Sequence, residues 1–352
     1  MYLWHYPIIS YAKLTIFNES VQIKILHFLI IFVLSLLSYN FVERIFRDSN
    51  IINLRKFCTF LFLIISFIIF LNFLFIIKDG FSSRYAHLKT TFINYEPNNS
   101  FLTQESWKYL SDSNGKKKVF FDSKNDEKIY SPAFNSSDKY KVLIIGDSHS
   151  KDLFNVFYSN KSEYSKYEFA RYGFNLEWFS NNDNKIKIFK NSNLYKNSDI
   201  IIISTRWNLE KIKNIENFIN INENKKIIIA SSSPEFKLIR QVPLFDYLIK
   251  NNTNIKKSEN LEEAIKKVNQ FFFKNKHSGY QLINNKLLQK AAKLKIKILN
   301  KDDLICNYKL KECFGVDNMG NKIFYDYGHY TIDGAYFLGK RALKIQWLSK
   351  IN

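Results

Sequence analysis

Residues 57–77, FCTFLFLIISFIIFLNFLFII, carry no charged side chain. As an α-helix a run of this length reaches about 30 Å, the depth of a bilayer's hydrocarbon core. The run therefore predicts a transmembrane helix. Residues 23–42, IKILHFLIIFVLSLLSYNFV, predict a second one. Their only charge is Lys24 at the edge, while His27 and Asn40 suit a bundle partner or the interface. Residues 2–17, YLWHYPIISYAKLTIF, predict a third, shorter segment interrupted by Pro7, with Trp4 and tyrosines of the kind found at membrane interfaces. Residues 1–78 are thus read as a membrane part. No basic stretch precedes an apolar run and no small-residue cleavage site follows, so this is not a secretory signal peptide. Between the two long runs, ERIFRDSNIINLRK holds Arg44, Arg47, Arg55 and Lys56. Short basic loops stay cytoplasmic, which puts the chain beyond Lys78 outside.

The formal charge of +20 raises the question of an acidic partner. Lys, Asn and Ile are heavily used even in plain loops such as NKSEYSKYE, so the charge reads as a general bias in composition. No basic stripe is interleaved with aromatics and no nucleic-acid module is recognisable, so nucleic acid is set aside as a partner. Of the three cysteines, Cys58 lies in an apolar run, and Cys306 and Cys313 bracket CNYKLKEC. Without a second pair or nearby histidines these two do not make a zinc site. In an oxidising compartment they can close a small disulfide; otherwise they are two thiols.

Residues 79–138 are polar and read as linker and loops. From residue 139 apolar runs alternate with amphipathic stretches. KVLIIG ends at Gly146, YEFARYG at Gly173, DIIIIST at Thr205 and KKIIIAS at Ser231. Helices are expected near 148–158, 208–220, 261–273 and 284–294. Short β-branched runs separated by helices predict an α/β domain over 139–352, a parallel sheet covered on both faces. Ligands of such sheets bind beyond the carboxyl ends of the strands. That is where GDSHS delivers Ser148, at the start of a helix whose dipole favours negative charge. A serine hydroxyl needs a base, and the base needs an orienting group. YDYGHYTIDGA supplies His329 with Asp326 three residues before it, close enough for one turn to present the acid to the imidazole.

Gly-Asp-Ser after the first strand and Asp-x-x-His before the last helix resemble the SGNH (GDSL) hydrolase family. GDSHS, IIISTRW, SSSPEF and the cysteine pair ahead of DYGHYTIDGA look more specifically like the SGNH domain fused behind acyltransferase-3 membrane proteins. YLWHYP and LSYNFVERIFR resemble the last membrane helices of that family, and DGFSSRY its exit into the periplasm. The resemblance implies Ser148 as nucleophile, His329 as base and Asp326 as orienter, in a bacterial inner-membrane protein with a periplasmic domain. It implies acetyl transfer to hydroxyls of a cell-surface glycan such as the O-antigen of lipopolysaccharide. Acetyl-CoA would be the ultimate donor, acting through a membrane acyltransferase part, with no metal or cofactor in the outer domain.

Two departures stand out. The family completes its oxyanion hole with a Gly after the second strand and an Asn after the third. Gly173 fits the first place, but the third strand runs into Arg206-Trp207-Asn208 without Gly-x-Asn, leaving these three as candidate donors. His149 has no role in the pattern and is expected to make a structural hydrogen bond. The family also carries about ten membrane helices with its acyl-handling motifs in the early ones. The chain is therefore expected to be a fragment, or to need a membrane acyltransferase partner. An SGNH-type carbohydrate esterase and an inactive anchored glycan-binding domain are the competing readings.

Overall fold

The structure, a computed structural model, describes residues 2–15, 21–44, 53–78, 92–110, 132–179, 184–251, 255, 258 and 260–351. The chain divides into two units, Met1–Arg84 and Tyr85–Asn352. In the first, α1 (Tyr2–Thr15) runs through Pro7 instead of being interrupted there. The proline lies near the helix start and denies a partner to one carbonyl only. α2 (Val21–Ser38) continues as a π-helical turn, Tyr39–Glu43, and α3 (Leu54–Ile77) begins at Asn53, whose side chain accepts from the Lys56 amide. Two spans, Val21–Glu43 and Arg55–Ile77, are long and apolar enough to cross a membrane. Phe62, Ile69 and Ile76 of α3 are 69%, 63% and 77% exposed. A helix apolar all round and exposed among the described residues suits lipid rather than water. Arg47, in the loop read as cytoplasmic, and the DGFSSRY exit lie outside the described residues.

The second unit is built on a parallel sheet of β1 (Tyr140–Gly146), β2 (Tyr167–Gly173), β3 (Ile200–Ser204), β4 (Lys226–Ala230) and β5 (Lys297–Leu299), in the order β2-β1-β3-β4-β5. Side chains alternate across a strand, and both faces are apolar. Val142, Ile144, Ile200, Ile202 and Ile228 enter one core, while Leu143, Ile145, Ile201, Ile203 and Ile229 enter the other. Helices cover both faces, giving three layers. β5 escaped the sequence reading: a three-residue edge strand is too short to show a period. The sheet reverses its order at β1, so a crevice opens beyond the carboxyl ends of β1 and β3.

Residues 79–138 are not simply a linker. Residues 79–91 and 111–131 lie outside the described residues, but 92–110 form part of the second unit. They contain a helix, Asn99–Glu105, and they bury Phe92, Tyr95, Leu102 and Leu110. Tyr95 and Asn99 donate to Asp246, which also pairs with Lys322 at 2.6 Å. Their polar composition hides this, because the anchoring groups are themselves polar. Beyond β5, Cys306 and Cys313 face each other across a two-stranded ladder and are joined by a disulfide.

Candidate active site

Ser148 opens the helix Ser148–Tyr158, directly after β1. The turn between them needs Gly146. Its φ is +140°, and a Cβ there would lie 2.0 Å from the Ser204 carbonyl oxygen of β3. Asp147 caps the helix through the His149 amide. The same carboxylate accepts from the Arg206 amide, the Thr205 hydroxyl and, at 3.0 Å, the Lys211 ammonium. From the other side Arg171 donates to the Asp147 carbonyl at 3.1 Å and to Ser150 Oγ at 2.9 Å. The residue before the serine is therefore held from β2 and from the segment that follows β3 at once.

His329 arrives on a loop that closes on itself. Asp326 Oδ1 accepts from the amides of Gly328 and His329, at 2.9 and 2.8 Å. Its Oδ2 takes His329 Nδ1 at 2.7 Å, and His329 Nε2 lies 2.8 Å from Ser148 Oγ. Serine, imidazole and carboxylate thus form one hydrogen-bonded chain, the arrangement that lets a hydroxyl lose its proton as it attacks. Burial disfavours the charged ring of His329. The nearby Asp152 carboxylate and the hydrogen bond that Nδ1 donates to Asp326 outweigh it, and the His329 pKa is raised above its ordinary value. Burial pushes the Asp326 carboxyl up, but the bonds and charge of His329 and the two amides hold it below the usual carboxylate range. A pocket of about 360 Å³ opens over Ser148 and His329, walled by Tyr325 and by Asn99, Ser100, Thr103 and Trp107 from the segment read as linker.

The family model for the "SGNH domain (fused to AT3 domains)" matches residues 116–344. The chain belongs to this family. Among solved structures, the SGNH fold is similar to the periplasmic domain of a lipopolysaccharide acetyltransferase from Salmonella ser. Paratyphi A. The two share 17% identity, with 60% of this chain and 85% of that one covered and a TM-score of 0.43. It is also similar to a GDSL-like lipase from Bacteroides thetaiotaomicron, at 13% identity, 72% and 98% coverage and a TM-score of 0.33. A search of the curated proteins finds no match.

On the other side of the serine, the side chains of Arg206, Trp207 and Asn208 are engaged elsewhere. Trp207 is buried with Nε1 donating to the Ala230 carbonyl at 2.8 Å. The Arg206 amide serves Asp147, and its guanidinium forks onto Glu235 at 2.8 and 2.9 Å, over the Tyr327 ring. Asn208 caps the next helix through Oδ1 and donates Nδ2 to Glu177 at 2.8 Å. Gly173 pairs with Gly146 in the β1–β2 ladder.

The His149 ring makes no hydrogen bond among the described residues, contrary to expectation, although its backbone bonds Asp147 and Ser204. Neither ring nitrogen has a partner among the described residues. Its ring stacks on His329 instead, and the space around it is closed by packing. One atom each of His149, Asp152 and His329 lie within 4.8 Å of one another. Both His329 nitrogens are already engaged by Ser148 and Asp326, so this trio fits a charge beside the base better than a metal site. Sequence reading also missed the buried cations under the SGNH site. Lys151 pairs with Asp152 and donates to Ser106, and Arg171 sits in the middle of β2. An arginine inside an apolar parallel strand was the available signal.

Proposed function

We propose that this chain is a membrane-anchored periplasmic O-acyltransferase acting on hydroxyls of a cell-surface glycan, lipopolysaccharide O-antigen being the leading candidate. The observation that carries the reading is the hydrogen-bonded chain from Ser148 through His329 to Asp326. In the first half-reaction Ser148 attacks the acyl carbonyl while His329 takes its proton, then returns it to the leaving group. In the second, His329 takes the proton of the sugar hydroxyl, whose oxygen attacks the acyl-serine, and returns it to Ser148 Oγ as the acyl–Oγ bond breaks. Asp326 orients the ring and stabilises its cation. Membership of a family whose SGNH domains are fused to AT3 domains supports transfer over hydrolysis. Acetyl is the proposed group, delivered from acetyl-CoA by a membrane acyltransferase part.

The test uses the purified full chain with 4-nitrophenyl acetate and added sugars, beside Ser148→Ala. Acetyl release that requires Ser148, with acetyl-sugar among the products, is expected. Undiminished release in Ser148→Ala defeats the reading, and acetate as the sole product makes the chain an esterase. O-acetyl analysis of surface glycan, with and without the chain, identifies the acceptor.

A further inference from the structure

His149 is 2% exposed and lies in the first turn of the helix that Ser148 opens. Its ring centroid is 4.8 Å from that of His329, with the planes 23° apart. Tyr325 runs nearly parallel to His329 at 5.8 Å, and Tyr327 meets it edge-on at 5.3 Å. His149 is thus the nearest of three rings around the base. Its two ring nitrogens, without a partner among the described residues, cost stability, because a buried donor and acceptor have left bulk water for packing against other side chains. An apolar side chain would fill the same space without that cost. The cost points to a role at the site rather than to packing alone.

The two hydrogen bonds of His329 fix the ends of an axis through Nδ1 and Nε2. They leave the ring free to rock about that axis. A flat surface against one face stops the rocking. We propose that His149 is a positioning residue for His329: its ring is the fixed plate that holds the imidazole in line with both Ser148 and Asp326. His149 does not compete for the proton. Burial first, then the charge of His329, drives its pKa well below the ordinary value, with Lys301 and Arg206 acting in the same sense and Asp147 opposing.

The inference rests on the acyl-transfer reading above, and the experiment separates the two. kcat and KM for 4-nitrophenyl acetate are measured on the purified full chain, corrected for folded fraction by thermal melts. His149→Ala is expected to lose tenfold or more in kcat with KM within twofold. His149→Phe, which restores a flat ring, is expected within threefold of the parent kcat. If His149→Ala does not fold, His149→Gln replaces it with the same expectation, since it keeps bulk without a plate. A loss below tenfold in the plate-less variant, or a His149→Phe that fails to return to within threefold, overturns the proposal. Ser148→Ala is the reference. Turnover surviving there sinks the acyl-transfer reading itself. An inert Ser148→Ala beside an unimpaired His149→Ala removes the positioning role alone.

Discussion

On one flank of Ser148, hydroxyl, imidazole and carboxylate are joined by two hydrogen bonds, and the loop that carries them closes on its own amides. On the other flank, Arg206, Trp207 and Asn208 point their donors at Glu235, Ala230 and Glu177. The proton-handling flank is complete as it stands, whereas the charge-stabilising flank has its side chains committed to neighbours. The difference has a physical root. Asp326 and His329 are three residues apart, so a single loop can assemble both. An oxyanion hole needs donors from the ends of β1, β2 and β3, whose loops must each adopt the right path. A triad is locally encoded, and the hole depends on tertiary structure.

The largest expected effect tests the complete flank. Asp326→Asn should lower kcat by about 10,000-fold, since the ring loses its orienting acceptor and its tautomer. A loss below tenfold would mean that Asp152 or another group already orients His329. The same flank sets the pH dependence. The base must be neutral to work, and its pKa is raised above 6.5. kcat/KM should therefore fall as pH drops, with a midpoint above 6.5. In Asp326→Asn the residual activity should persist to lower pH, because a bond and a charge that favoured the protonated ring are gone. A midpoint that stays in place would show that Asp326 does not tune the base.

Next in size is the bridge ahead of the His329 loop. Reducing Cys306–Cys313, or replacing both by Ser, should cost roughly 2–3 kcal/mol of stability through loop entropy. The rate per folded molecule should change less than threefold, because the loop has its own ties, among them the Phe324–Tyr330 bridge and the Tyr330 amide on Asp152. A larger loss of rate would make the disulfide part of the proton-handling flank. The smallest effect is on the opposite flank. Asn208→Ala should cost about 1 kcal/mol as a lost helix cap and lower kcat by less than tenfold. A fall of 100-fold or more, the usual signature of a missing oxyanion donor, would show that Asn208 leaves Glu177 during the reaction.

Legibility in the sequence follows the same division. Strands β1, β3 and β4 were readable because each is a dense β-branched run, and β2 because its aromatic run ends at Gly173. β5 was not, for want of length. Ser148, His329 and Asp326 were readable because motif spacing reports on local geometry. The Asp147 clamp was hidden, since Thr205 and Lys211 meet Asp147 only after β1 and β3 pair. The pocket wall from Asn99 to Trp107 was hidden for a related reason. Asn99 and Ser106 find partners more than 40 residues away, in Asp246 and Lys151. No pattern within one window can report such a pairing.

That wall also bears on the order of folding. Lys322 binds the Glu96 carbonyl and Asn99 across separations of 226 and 223 residues, and Tyr95 reaches Asp246 across 151. A ribosome makes residues 92–110 early and the loop that holds them last. Until residue 322 has emerged, Phe92, Tyr95 and Leu102 lack part of their cover and Trp107 has no fixed place over the serine. Contacts this distant close slowly, since the intervening chain must first be ordered. The nascent chain can therefore assemble its sheet well before it has a walled site. Competence for the proposed reaction is then expected to be among the last properties that this chain acquires as it folds.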